Sequence, residues 1–358
     1  MRTALDSRSE RGAVAVIIAV SMVVIVGFLA FVTDFGLAYT NKRAMQNGVD
    51  AAALAVAQKI AVDGDPTATC GELEARWEGD PEVIAIADKY FGHNHSTSGA
   101  AHSDPVLSCG NSATQLFVGV DAAQESTTFF GGIAGVDGIS LAQSAKAVVA
   151  PAKTVIGLRP FAMCLGLAKT VIDEPTVNHM LLLEKTDFGC GGASGNWGMM
   201  DFDGDDKQLP EGANEALQWI KDGYNGPISI APPIYIPGET GAPEPGKLED
   251  AMNAMLDDEI VIPVYDLLSG NGSNAQFRVV GFLSIKVCGW KFNNTKKGPP
   301  PPPAGQGCFV SSQVPSPEPK DYLQVRYKGF VPIGDVSESC VFANAACDLG
   351  TRLYKLAE

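Results

Sequence analysis

Residues 196–208, "NWGMMDFDGDDKQ", place Asp201, Asp203, Asp205 and Asp206 within six positions. Alternating carboxylates can offer several hard oxygen ligands to calcium. An EF-hand loop also needs Gly at its sixth position and Glu at its twelfth. Counted from Asp201, those positions are Asp206 and Gly212, so that loop does not form. The cluster reads as a solvated acidic turn, with Asp201, Asp203 and Asp205 as the candidate cation ligands. His93, His95 and His102 share "GHNHSTSGAAHS", a spacing that could gather at a transition metal, although Ser, Gly and Ala around them describe a surface loop.

Other patterns fail on context. "GGASGN" has Asn196 where a nucleophile elbow needs its last Gly, and four histidines leave few bases for a triad. "GNGSNA", from Gly270, spells a dinucleotide fingerprint but precedes the strand-like "QFRVVGFLSI" instead of a helix that would face a pyrophosphate. "DVSES", from Asp335, has the spelling of an adhesion-type metal site, but only nineteen residues follow Ser339 to supply other ligands. No cofactor is expected, and an extracytoplasmic enzyme would have to rest on Asp203 or His93.

Cysteine and charge place the chain. All eight cysteines (70, 109, 164, 190, 288, 308, 340 and 347) follow a long apolar run, and the even count fits disulfides in an oxidising compartment. Nearest-neighbour pairing would join Cys70 to Cys109, Cys164 to Cys190, Cys288 to Cys308 and Cys340 to Cys347, one choice among the many that eight cysteines allow. Net charge is −15; Arg2, Arg8 and Arg11 against Asp6 and Glu10 leave the first twelve residues at +1, so the remainder carries −16. That acidity disfavours nucleic acid and anionic lipid surfaces as partners.

From Ala13 to Val32 no residue is charged. Twenty helical residues rise about 30 Å, the thickness of a bilayer core. The run exceeds a secretory h-region and ends without an A-x-A site, so it reads as a retained membrane anchor. Arg2, Arg8 and Arg11 crowd its start whereas Lys42 and Arg43 lie farther from its end, which puts the N-terminus in the cytoplasm and the bulk outside. Beyond the run, Met45, Val49, Ala52, Val56 and Ile60 recur at helical spacing, and no proline intervenes before Pro66. One helix over about 13–61 is expected, its Ala-rich stripe able to approach another helix or the chain's own body. Asp34, at the outer membrane edge, could orient the helix or pair with a neighbouring subunit.

The expected fold is α+β: an N-terminal transmembrane helix extended outside the membrane, then a disulfide-containing mixed α/β exterior. The expected organisation is a cytoplasmic tail (1–12), transmembrane helix (13–33), helical extension (34–65), first α+β lobe (66–150) and a second, Cys- and Pro/Gly-rich lobe (151–358). "PEVIAIADKYFG", "NEALQWIKDGYNG" and "KLEDAMNAMLDD" read as helices, the second with Asn214 as N-cap and Gly223 at C′. "QLFVGVDAAQ" and "GISLAQSAKAVVA" read as strands around the aromatic "TTFFGGIAG". "EIVIPVYDLL", "QFRVVGFLSIKV" and "DYLQVRYKGFV" are further strands, with Pro263 suggesting an edge position for the first.

The run "ERGAVAVIIAV…VTDFGLAYTNKRAMQNGVDAAALAVAQ" resembles the N-terminal region of TadE/TadG-like Flp pilus-assembly proteins of the bacterial tight-adherence system. Its matching elements are Arg11-Gly12, the anchor, Asp34-x-Gly36, the basic pair, Gln46-Asn47 and Asp50-Ala51-Ala52-Ala53-Leu54. "TTFFGGIAGVDGISLAQSAKAVVAP" is similar to the end of that family's first exported module, and "IPVYDLLSGNGSNAQFRVVGF" to longer members. Pilin-like processing in the family goes with a Glu five residues after the cleavage Gly; Ile17 stands there, which favours a retained anchor. The resemblance implies a component for assembly or anchoring of a Flp/Tad-type adherence pilus. It would act by protein–protein association with other pilus-assembly proteins or pilin-like subunits, not by catalysis. Asp34, Gly36, Met45, Val49, Ala52 and Val56 are the candidates for helix association. The alternative is a membrane-anchored extracytoplasmic binding module for a glycan, peptide or cell-wall ligand, using Trp197, Trp219 or Trp290.

Overall fold

The computed structural model describes residues 8–94, 100–183, 199–204, 211–230, 232–238, 244–271, 274–292, 307–314, 316 and 318–357. A 56-residue helix, α1 (Arg8–Asp63), opens the chain and would be about 84 Å long at 1.5 Å per residue. Two short helices follow, α2 (Cys70–Trp77) and α3 (Pro81–Asn94). Next come strands β1 (Ala101–His102), β2 (Val106–Cys109), β3 (Leu116–Thr127) and β4 (Gly138–Ile156). The middle of the chain holds β5 (Met163–Cys164), α4 (Leu165–Asp173), β6 (His179–Leu182), α5 (Glu211–Asp222), β7 (Ile228–Ser229), β8 (Ile234–Pro237) and α6 (Pro245–Ala254). It ends with β9 (Glu259–Ser269), β10 (Gln276–Lys291), β11 (Tyr322–Tyr327), β12 (Ile333–Val336) and β13 (Arg352–Leu356).

Among the described residues these strands form a seven-stranded and a six-stranded sheet. The first is built on the β3–β4 hairpin, paired without a break from Leu116↔Val149 to Thr127↔Gly138. β4 runs on to Ile156, where β7, β12 and β13 join it. The C-terminal strands therefore close onto the sheet that the N-terminal helix covers. The second sheet runs β5-β9-β10-β11-β6, with β8 beside β10, and packs under α4 and α6. The expected α+β architecture is what the chain adopts.

Periodicity explains α1. Asp34, Ala38, Asn41, Met45, Val49, Ala52, Val56 and Ile60 all face inward, three or four residues apart. The outer half of this stripe packs on alternate inward residues of β3 and β4, including Val118, Val120, Ala145 and Ala147, and on α3 through Val83 and Ala87. Small Ala side chains let the helix lie close to the sheet. From Val14 to Leu29 every residue of the same helix is exposed.

Three expected cysteine pairs sit at disulfide distance: Cys70–Cys109, Cys288–Cys308 and Cys340–Cys347. Cys190 lies outside the described residues, and with it the expected partner of Cys164. α5 begins at Glu211, so Asn214 sits inside the helix and not at its cap. Gly223 does take the expected position, with φ +83° and its N–H donated to the Trp219 carbonyl. β9 is not quite an edge, because the two-residue β5 pairs with Val264 and Tyr265 just beyond Pro263.

Candidate functional site

Among the described residues the sequence candidates for metal and catalytic chemistry do not gather into a site. Asp201 accepts a hydrogen bond from the Gly204 N–H at 3.1 Å, an ordinary turn; Asp205 and Asp206 lie outside the described residues. His93 lies in the last turn of α3, His102 on β1 bonds Asp88 at 2.8 Å, and His95 lies outside the described residues. Among the described residues no three His, Cys, Asp or Glu side chains gather to hold an ion. Gly270 begins the β9–β10 hairpin loop, since Gln276 pairs with Ser269, so the stretch leads into a strand. "GGASGN" lies outside the described residues. Asp335 bonds Lys355 and its neighbour's N–H. Trp219 and Trp290 are core residues, which removes them from any exposed ligand surface; Trp197 lies outside the described residues.

The helix-association candidates are where the structure concentrates. Asp34 is 8% exposed, the first inward position of α1 beyond the apolar run. Its carboxylate faces the loop that joins β3 to β4. The backbone N–H groups of Phe129 and Gly131 donate to its two oxygens at 2.8 Å each, and the Phe130 N–H donates at 3.0 Å. These three donors open the short 3-10 turn Gly131–Ala134, where helical geometry leaves N–H groups without backbone acceptors. Burial alone would raise the Asp34 carboxyl; the three donations outweigh it and hold the group below the ordinary aspartate value. The residue expected to orient α1 or meet a neighbouring subunit is thus bonded to its own chain, 95 to 97 residues away.

Two more contacts continue this seam outward. Asn41 Nδ2 donates to Ser126 Oγ at 3.0 Å, and Gln46 Nε2 donates to the Ser144 carbonyl at 3.2 Å. Together with Asp34 they lash the distal hairpin lengthwise to α1. The loop itself depends on glycine twice. A Cβ on Gly131 would come within 2.5 Å of the Val136 carbonyl, and Gly135 has φ +78°. Gly36, by contrast, faces open space. Met45, Val49, Ala52 and Val56 are fully buried against the chain's own sheet. Of the two neighbours the stripe could approach, another helix or the chain's own body, it is the body that covers this face.

Sequence reasoning missed Asn41, Gln46 and the loop's part in the site. The signal was present, because Asp34 and Asn41 extend the same stripe as Met45 and Val49 toward the apolar run. It also missed Arg352, 1% exposed, which donates to the carbonyls of Asp65, Pro66 and Ala68 and pairs with Asp348 at 3.1 Å. That side chain ties the last strand to the turn after α1.

Fold and site define a protein with one N-terminal helix long and apolar enough to cross a membrane, carrying an α+β body along its outer half. Residues 12–59 match the family model described as "Putative Flp pilus-assembly TadE/G-like", so this segment is similar to that family and a pilus-related role is supported. The match spans the apolar run, Asp34, Asn41, Gln46 and the buried stripe, and stops before the rest of the body. No curated protein and no solved structure matches the chain.

Proposed function

We propose that the chain is a membrane-anchored component for assembly or anchoring of a Flp-type adherence pilus, working by protein–protein association. The carrying observation is that the TadE/G-like match coincides with the one helix that is both apolar enough for a bilayer and built into the body's core. In this reading residues 13–33 cross the membrane, the N-terminus is cytoplasmic, and the lobes at 66–150 and 151–358 lie outside. Three disulfide-distance pairs support an oxidising compartment for the body. Since the body covers the inward stripe of α1, the faces left for other pilus components are the exposed span and the outward residues Lys42, Arg43 and Asn47.

The test is co-isolation after mild cross-linking in cells that carry the Flp pilus genes. The full chain should bring down pilus-assembly proteins or pilin-like subunits. Exchanging residues 13–33 for an unrelated apolar span should keep the chain in the membrane and lose those partners. Recovery of no pilus protein with the native chain would overturn the pilus role. Equal recovery with the exchanged span would overturn association through the anchor.

A further inference from the structure

The loop tethered to Asp34 is apolar where it is most exposed. Phe129 is 75% and Ile133 89% exposed, with Phe130 and Val136 also open. Four large apolar side chains crowded on one nine-residue loop are not the surface of a soluble domain, and such patches mark protein or membrane contacts. Their position decides between these. Phe130, Ile133 and Val136 line a groove of about 720 Å³ whose other wall is α1 itself, from Val23 through Val26 and Phe31 to Asp34. The loop thus lies beside the last turns of the apolar run, over about 16 Å of helix.

We propose that this loop is a second membrane contact: residues 128–136 enter the boundary of the same bilayer leaflet that α1 leaves, with Phe129, Phe130, Ile133 and Val136 among acyl chains. Charge supports that depth. No charged residue occurs between Glu125 and Asp137, so the loop itself carries no charge where it meets the anchor. Backbone chemistry supports it too. Apolar surroundings penalise any N–H or C=O without a partner, and non-helical backbone is tolerated near lipid only when those groups are satisfied. Here Asp34 accepts from Phe129, Phe130 and Gly131, while Thr128, Ile133 and Val136 donate to carbonyls of the loop and its flanks. The groove is continuous with the bare helix face below it, and an acyl chain is the occupant that face already has in a bilayer. Amphipathic anchors of this kind settle about 5–10 Å into the headgroup boundary. Two contacts, rod and loop, fix the tilt of the body on the membrane, which a single helix would leave free to swing.

The inference rests on α1 being a span and is independent of the pilus role. Full-length chain carrying Ile133→Trp, Phe28→Trp or Ile333→Trp would be reconstituted into phosphatidylcholine vesicles with brominated acyl chains, and the quenching of the added tryptophan measured after subtracting the signal of the native chain's four tryptophans. Ile333 pairs with Ile156, at the opposite end of β4 from the loop, and reports on the body's free surface. Non-reducing mass analysis confirms that each variant keeps its cystines. Ile133→Trp should be quenched at least about twofold more than Ile333→Trp, approaching Phe28→Trp. Equal quenching at 133 and 333, with Phe28→Trp quenched, would overturn the proposal and leave the span standing. Quenching at 133 that emerges only when the chain is diluted into excess lipid would overturn it in favour of a second copy covering the loop. Loss of quenching at Phe28→Trp would remove the span, and the loop contact with it.

Discussion

Asp34 carries the seam between rod and hairpin, and its worth can be read amide by amide. Asp34→Asn removes the charge while keeping size; hydrogen exchange at Phe129, Phe130 and Gly131 should quicken about tenfold or more, with the amides around Val49 unchanged. Equal exchange at these amides in the native chain and in Asp34→Asn would show that the three bonds do not hold the loop. The pH dependence has a definite sign. The folded carboxyl sits below its ordinary value, so the tether is fully present above about pH 3.9 and fades only as pH falls through the lower folded value. A carboxylate carbon titration with its midpoint above that ordinary value would contradict this. Arg352 is the counterpart at the other end of the body. Arg352→Met strands the Asp348 carboxylate in the interior and should cost about 3–5 kcal/mol of stability in denaturant titration of the solubilised chain. Neither role was legible from sequence. Asp34 stood out as an acid at an apolar edge, but its partners lie 95 to 97 residues on, and Arg352 reaches back more than 280 residues. Side-chain bonds to backbone leave no periodic trace.

At the scale of elements, local pattern did most of what it could. α1, α3, α6 and the strands β3, β4, β9, β10 and β11 fall where their periods of 3.6 and 2 place them. β12 and β13 escaped notice because they are short and carry Asp335, Arg352 and Lys355; only pairing with β4 makes them strands. The α1 stripe was legible as a contact face, yet sequence alone could not say which body would cover it. The sheet does, and that changes the expected effect of substitution. Val49→Arg places a cation in a dry core and should destroy the protease-resistant body, a loss of about 4 kcal/mol or more, instead of selectively releasing partners. An intact, protease-resistant Val49→Arg body would refute the packing. Among the cystines, loop length ranks the effects. Opening Cys70–Cys109, 39 residues apart, should destabilise by about 4 kcal/mol, and opening Cys340–Cys347, 7 apart, by about 2.5. Equal thermal shifts for the two serine pairs would contradict a chain-entropy origin.

For the whole molecule, the consequential feature is that anchor and core are one helix. In the proposed topology the body cannot be released from the membrane by loosening a linker, because residues 45–61 that hold its first sheet continue without a break into residues 14–33. Cutting just beyond Asp34 would remove its loop tether as well. This arrangement suits a component whose task is to keep an exterior fixed relative to other membrane-embedded pilus parts. Intact-mass analysis of the full chain from alkali-washed membranes tests the arrangement most directly. Residues 1–33 should be retained, all of the body should sediment with the membrane, and reduction should be needed to free its thiols. Recovery of the body in the soluble fraction, with a new N-terminus beyond residue 33, would contradict it.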